Sequence, residues 1–209
     1  MTINFKNIPQ NIRVPLFYAE VDNSQANTAI ASQRTLIIGQ VTAAAISAGT
    51  VPNVPIISQG VQDAVRVGGN GSMLALMTAA YRANDNFGEV WYLPLADDPN
   101  SFAASGTLTV VTPPTTSGTL NVYIAGNLVA VPVLPTQTPT QIALALATSI
   151  NSAPGMPLVA TAITNIVNLL AINQGPAGNE IDVRLNYLGP IAGEVQPTGL
   201  QITVTPMTK

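Results

Sequence analysis

Histidine and cysteine are both missing from this chain of 209 residues. Their absence excludes histidine-based catalytic triads, thiol nucleophiles and the Cys/His sets that hold zinc, and it leaves the redox compartment unreadable from disulfides. Charge is scarce as well. Only 8% of residues are charged, against about 25% in ordinary soluble domains. Two lysines, Lys6 and Lys209, stand near the ends, five arginines are spread between them, and the formal net charge is -3. With no basic stripe to neutralise phosphates, direct nucleic-acid binding is not expected. Long apolar runs are lacking too. Residues 1–21 have no continuous apolar region of a signal peptide, and the most apolar stretch, 158–172, is broken by Thr161, Thr164, Asn165 and Asn168. Neither a leader nor a membrane-inserted segment is therefore expected, and folding in a cytoplasm is.

What is present is ample core material, 47% hydrophobic residues, so the chain is globular and long enough for one large domain or two small ones. Its polar surface must be built mainly from Thr, Asn, Gln and Ser. Such a surface repels itself little, which suits a subunit packed against neighbours. A secreted bacterial domain with a neutral surface is the alternative reading of the same composition.

Residues 1–30 read as an extended arm. Pro9 and Pro15 each push the preceding residue toward extended geometry and remove a backbone donor, so a helix across 8–14 is not expected. Yet the segment is too apolar for an idle tail. Without a helical period or a hairpin partner, it can bury its side chains by crossing to a neighbour and adding a strand there. Ile12, Arg13, Val14, Pro15, Leu16, Phe17, Tyr18 and Val21 are accordingly the candidate subunit-interaction residues.

The same residues carry a resemblance. Ile8-Pro9-x-Asn11-Ile12-Arg13-Val14-Pro15, then Tyr18-x-Glu20-x-Asp22-Asn23-Ser24 and Gln33-Arg34-Thr35-Leu36-Ile37-Ile38-Gly39-Gln40, resemble the start of Mu-type tail sheath proteins of contractile bacteriophages. Asp63-Ala64, Gly68, Gly71-Ser72-Met73-Leu74, the Val90-Trp91 to Asp97 stretch and Gly178-Asn179-x-Ile181-Asp182 continue the resemblance nearly end to end. It implies a structural subunit that stacks as rings around a tail tube and contracts to drive the tube through a host envelope for genome ejection, with no cofactor. The implied partners are other copies that exchange arms, the tail tube protein and the baseplate. The implied location is the virion tail, assembled in the bacterial cytoplasm. In that family the second domain is an insertion after which the chain returns to complete the first, so this chain is expected to be an N-terminal portion of a longer sheath protein.

The fold expected is mixed, α/β followed by α+β. Residues 31–98 read as a partial α/β layer: a strand over 34–41, a small-residue loop over 42–54, a short strand at 55–58, a helix over 61–67 and a second helix whose inward face is Leu74, Met77 and Tyr81. A strand over 89–95 closes the layer parallel to the first, and the sheet is left with one face uncovered. Residues 99–205 read as an inserted unit of order β-β-β-α-β-β-β, with 206–209 starting the return. Its first two strands, around 106–110 and 118–122, are expected in one sheet, and a hairpin turn at Gly126-Asn127. Thr138-Pro139-Thr140-Gln141 signals a capping-box helix start, and Ile142, Leu146 and Ile150 form its buried stripe.

The remaining motifs read as structural. Gly68-Gly69-Asn70-Gly71-Ser72 precedes a helix but lacks the lysine of a phosphate loop, and Asn70-Gly71-Ser72, formally a glycosylation sequon, belongs to the same turn. Asp97-Asp98 reads as a turn, and Glu180 and Asp182 as carboxylates sharing one strand face; catalysis or metal binding would need either pair to converge in a cleft. Trp91 reads as core packing, with an aromatic ligand platform as the alternative. No catalytic, cofactor-binding or metal-binding residue is assigned. A carbohydrate- or surface-binding β-rich module is the runner-up function; it predicts exposed aromatics beyond residue 100, where only Phe102, Tyr123 and Tyr187 are available.

Overall fold

The computed structural model describes residues 34–209 together with Asn11, Phe17 and Ala19. Of the candidate arm residues Phe17 alone is among them, and it is exposed; Ile12, Arg13, Val14, Pro15, Leu16, Tyr18 and Val21 lie outside the described residues. Four helices and three sheets make up the described part.

β1 (Arg34–Gln40) and β3 (Glu89–Leu95) pair in parallel from Arg34 opposite Glu89 to Gln40 opposite Leu95, and β2 (Ile56–Ile57) joins β3 antiparallel. A parallel pair needs a crossover, and α2 (Val61–Gly68) and α3 (Met73–Arg82) supply it. Ala64, Val67 and Leu74 of these helices bury against Ile37, Val41, Val90 and Tyr92. Gly39 makes the seat for α3, since a Cβ there would lie 2.8 Å from the Leu74 backbone. The segment 42–54, expected as a loop, contains α1 (Ala43–Ser47), which forms because the Thr42 side chain accepts from Ala45 N and an alanine run follows.

Two orientations differ from expectation. The inward face of α3 is Leu74, Ala75 and Thr78, while Met77 is 44% exposed. Thr78 is accommodated inside because its hydroxyl donates to the Leu74 carbonyl at 2.8 Å, one turn back. On β3 the alternation puts Val90, Tyr92 and Pro94 inward. Tyr92 is the fully buried aromatic, and Trp91 stands half-buried on the opposite face, its indole N–H donating to Glu89 Oε1 at 2.7 Å.

Residues from 104 onward form a larger core. β4 (Ser105–Thr112) lies in a four-stranded antiparallel sheet with β7 (Leu158–Ile163), β8 (Ile166–Ala171) and β10 (Gln201–Thr208), in the order β10-β4-β8-β7. β5 (Gly118–Ile124), β6 (Asn127–Val133) and β9 (Val183–Leu185) form a third sheet in the order β6-β5-β9. β4 and β5 therefore do not share a sheet as expected: the loop between them carries the chain from one layer to the other. The β5–β6 turn is one residue earlier than expected, at Ala125 and Gly126, both with positive φ, so that Ile124 faces Asn127. β10 is the strand the sequence reading lacked. It runs through Pro206, where a return segment is expected to start, and the register slips between Thr205 and Thr208 where that proline falls. An edge strand tolerates such an irregularity because proline has no ladder hydrogen bond to give.

α4 (Pro139–Ser152) starts as expected, with a full capping box between Thr138 and Gln141 and proline in the first turn. Its stripe Ile142, Leu146 and Ile150 is completely buried among residues of both flanking sheets. At its far end Asn151 imitates a strand: its Nδ2 donates to the Ala160 carbonyl at 2.7 Å and its Oδ1 accepts Ala160 N–H at 2.9 Å.

Candidate assembly surfaces

The motifs weighed for chemistry resolve into structural parts. The Gly-rich turn before α3 is closed by Ser72, whose hydroxyl accepts from Ala75 N, and by Asn173, whose Oδ1 accepts Met73 N–H at 2.9 Å. The first amides of that helix are thus bound to the protein's own side chains. Asp98 makes a turn by accepting Asn100 N–H at 2.9 Å, and Asp97 takes donors from three residues. Glu180 and Asp182 do not share a strand face as expected. Glu180 ends a 3-10 turn, Pro176–Glu180, and Asp182 pairs with Arg184 at 2.6 Å; the proline and glycines of 175–178 bend the backbone away from strand geometry. Among the described residues no group of three His, Cys, Asp or Glu side chains stands close enough to hold a metal ion.

One carboxylate outside those motifs, Glu194, is buried. Glu194 accepts from the Tyr123 hydroxyl through Oε1 and from Leu188 N–H at 2.8 Å through Oε2. The hydrogen bond to Glu194, with burial as the next cause, holds the Tyr123 phenol above its ordinary value. Tyr187 stacks edge-on to Tyr123 with ring centres 5.8 Å apart, and the Arg184 guanidinium lies 5.0 Å from the Tyr187 ring centre. Glu194 so braces the loop 187–195, which presents Leu188, Val195 and a fully exposed Ile191 to solvent. Nothing in its local sequence marks Glu194 out, because its partners lie on β5 and across the loop.

Two sheet faces are also apolar and open. On the face of β1–β3–β2 away from the helices, Leu36 is 50% and Ile38 47% exposed, beside Ile57 and the half-buried Trp91 and Leu93. The strand register sets Leu36 beside Trp91 and Ile38 beside Leu93. On the outer face of the four-stranded sheet, Thr205, Thr107, Asn168 and Thr161 form one cross-strand row, with exposed Val159, Ile163 and Leu170 around it. None of its four strands carries a charged residue. Exposed apolar side chains grouped in this way, with little charge around them, make both faces candidates for contact with other protein. Of the three aromatics beyond residue 100, Phe102 and Tyr187 are exposed and Tyr123 is buried.

No family model matches the chain. It is 34% identical, over 210 aligned residues and 99% of its own length, to the Mu-like prophage FluMu tail sheath protein of Haemophilus influenzae, and spans 42% of that protein's length. Over nearly its whole length the chain is homologous to part of a Mu-like prophage tail sheath protein.

Proposed function

We propose that the chain is part of a structural subunit of a contractile tail sheath, polymerising as stacked rings around a tail tube and contracting to drive the tube through a host envelope. The observation that carries this reading is 34% identity sustained over 99% of the chain. Supporting it are the open aliphatic faces on both cores and a surface with little charge to oppose close packing. In this reading the work of contraction comes from repacking rigid subunits between two lattices, so the subunit needs interfaces and no catalytic centre. The arm residues Ile12, Arg13, Val14, Pro15, Leu16, Phe17, Tyr18 and Val21 act as a tether that adds a strand to a neighbouring subunit. Other copies, the tail tube protein and the baseplate are the partners, and the virion tail is the location.

Immunogold electron microscopy of tail particles with antibody against this chain tests the proposal. Decoration along the whole shaft, in extended and contracted particles alike, is expected. Label confined to a tip or a fibre, or absent from tails, rejects it.

A further inference from the structure

The two apolar cores share no residue, and within the described residues the chain passes between them once, between β3 and β4. Besides that crossing and a close contact at Gly71, they are joined by a small set of hydrogen bonds around Asp97, just past the end of β3, and by Asn173 Nδ2 donating to the Val41 carbonyl at 3.4 Å. Asp97 Oδ1 accepts from Gln40 Nε2 at 2.8 Å and from Asn173 Nδ2 at 3.2 Å, and Oδ2 accepts Gln174 N–H at 3.1 Å. Gln40 Nε2 also donates to the Gln174 carbonyl at 2.9 Å. Asn173 reaches on to α3, where its Oδ1 takes Met73 N–H. Gln40 and Met73 belong to the smaller core, Asn173 and Gln174 to the loop that leaves β8 of the larger one.

Beside this cluster the packing is incomplete. A crevice of about 160 Å³ lies between Met73, Leu76 and Met77 on one side and Pro157, Ala171 and Ile181 on the other. At one edge the sides touch closely: Gly71 sits so near the Met156 carbonyl that a Cβ would fall 1.9 Å from the oxygen. The junction therefore has directional polar pins, a point of hard contact and an unfilled apolar gap.

We infer that the Asp97 and Asn173 side chains form a latch that fixes the pose of the two cores, and that the crevice is the gap across which the cores swing when the latch is released. A continuous apolar interface would resist opening in proportion to its area. Hydrogen bonds exchange their partners for water at small net cost, so a junction held by few of them has a second accessible arrangement. The carboxylate makes the latch specific, because three donors converge on one group; without it the Gln174 N–H loses its acceptor, Gln40 keeps only the Gln174 carbonyl and Asn173 only the Val41 carbonyl at 3.4 Å.

The absence of native cysteine allows a direct test on the whole chain. Ala44→Cys on α1 and Thr148→Cys on α4, both at exposed positions, carry nitroxide labels for pulsed electron paramagnetic resonance. With the latch intact a single narrow distance distribution is expected. Asp97→Ala and Asn173→Ala, made separately, each broaden it or add a second distance, while circular dichroism and amide exchange in α4 stay as in the parent. Asp97→Asn, which keeps an acceptor for Gln40 and Asn173, restores part of the narrow population. An unchanged distribution in both alanine variants overturns the latch. Unfolding of either core in these variants, or in the milder Gln40→Ala, overturns it as well, since the junction would then be part of a single core.

Discussion

Trp91 and Glu89 sit two residues apart on β3 and therefore on the same face, where the indole N–H donates to the carboxylate at 2.7 Å. This bond, together with the Arg34 guanidinium 3.1 Å from the same carboxylate, fixes an aromatic side chain on a face that no helix among the described residues covers. The arrangement holds the Glu89 carboxyl below its ordinary value, Trp91 being the larger cause and Arg34 the next.

Acid should loosen the smaller core first. Asp85 is also held low, by the N–H groups of Gly88 and Phe87 and by the Tyr81 hydroxyl. Both folded values lie below the ordinary 3.8 of Asp85 and 4.5 of Glu89, so the stability these groups contribute is complete above about pH 4.5, begins to fall below those ordinary values and is lost as pH falls through the lower folded ones. Trp91 is the single tryptophan, and its emission during thermal unfolding at stepped pH reads this core directly. Glu89→Gln with Asp85→Asn should flatten the dependence; a slope equal to the parent's would reject the assignment.

The larger core should be much the more protected. It gathers twenty-two buried residues among those described, against seven in the smaller one. Hydrogen exchange is therefore expected to be slow across 118–187 and faster across 34–95. Equal protection in the two regions would show that the difference in core size does not set their stability.

Leu146→Ala should lower stability by about 2 to 5 kcal/mol, because Leu146 is fully buried in the middle of the α4 stripe. Thr138→Ala should cost about 1 kcal/mol through loss of the cap. Urea titrations separate the two; a Leu146→Ala loss under about 0.5 kcal/mol would mean that the helix packs otherwise.

Gly71→Ala should destabilise by at least about 1 kcal/mol, since Gly71 has φ of 71° and no room for a Cβ against Met156. A melting temperature equal to the parent's would contradict the close approach.

Removing residues 1–23 should leave the melting transition nearly unchanged and abolish polymerisation of the sheath subunit. Sedimentation and electron microscopy read the second effect. A truncated protein that still polymerises, or that no longer folds, sinks the tether.

Local signals were the readable ones. Thr138, Pro139 and Gln141 announce the start of α4 because a cap is made by residues three apart, and the Ile142, Leu146, Ile150 spacing survives because helix geometry alone sets it. Strand order was less legible. Alternation along β4 and β5 says which residues share a face but not which strand lies alongside, so two similar segments were placed in one sheet when they belong to two. On β3 the alternation was plain, yet only the helices packed on one side decide that Tyr92, not Trp91, faces inward. Asn173, Asp97 and Glu194 were illegible as a class, because each acts on groups far along the chain and resembles ordinary loop polar residues until the backbone brings those groups near. The open face of the smaller sheet was legible, because two helices cannot cover both sides of strands as apolar as β1 and β3; that Leu36 and Ile38 stand on it needed the packing of the helices.

The pairing of β10 with β4 carries a consequence for biosynthesis. β4 opens the four-stranded sheet and β10 is its last strand, so Ser105 leaves the ribosome long before Thr208 does. Until then β4 has β8 on one side and a bare edge on the other, lined by backbone groups ready to pair with any extended chain nearby. In a cell making many copies at once, neighbouring nascent chains would compete for that edge. Slow or paused translation of the segment before Gln201 should therefore raise the yield of misassembled protein.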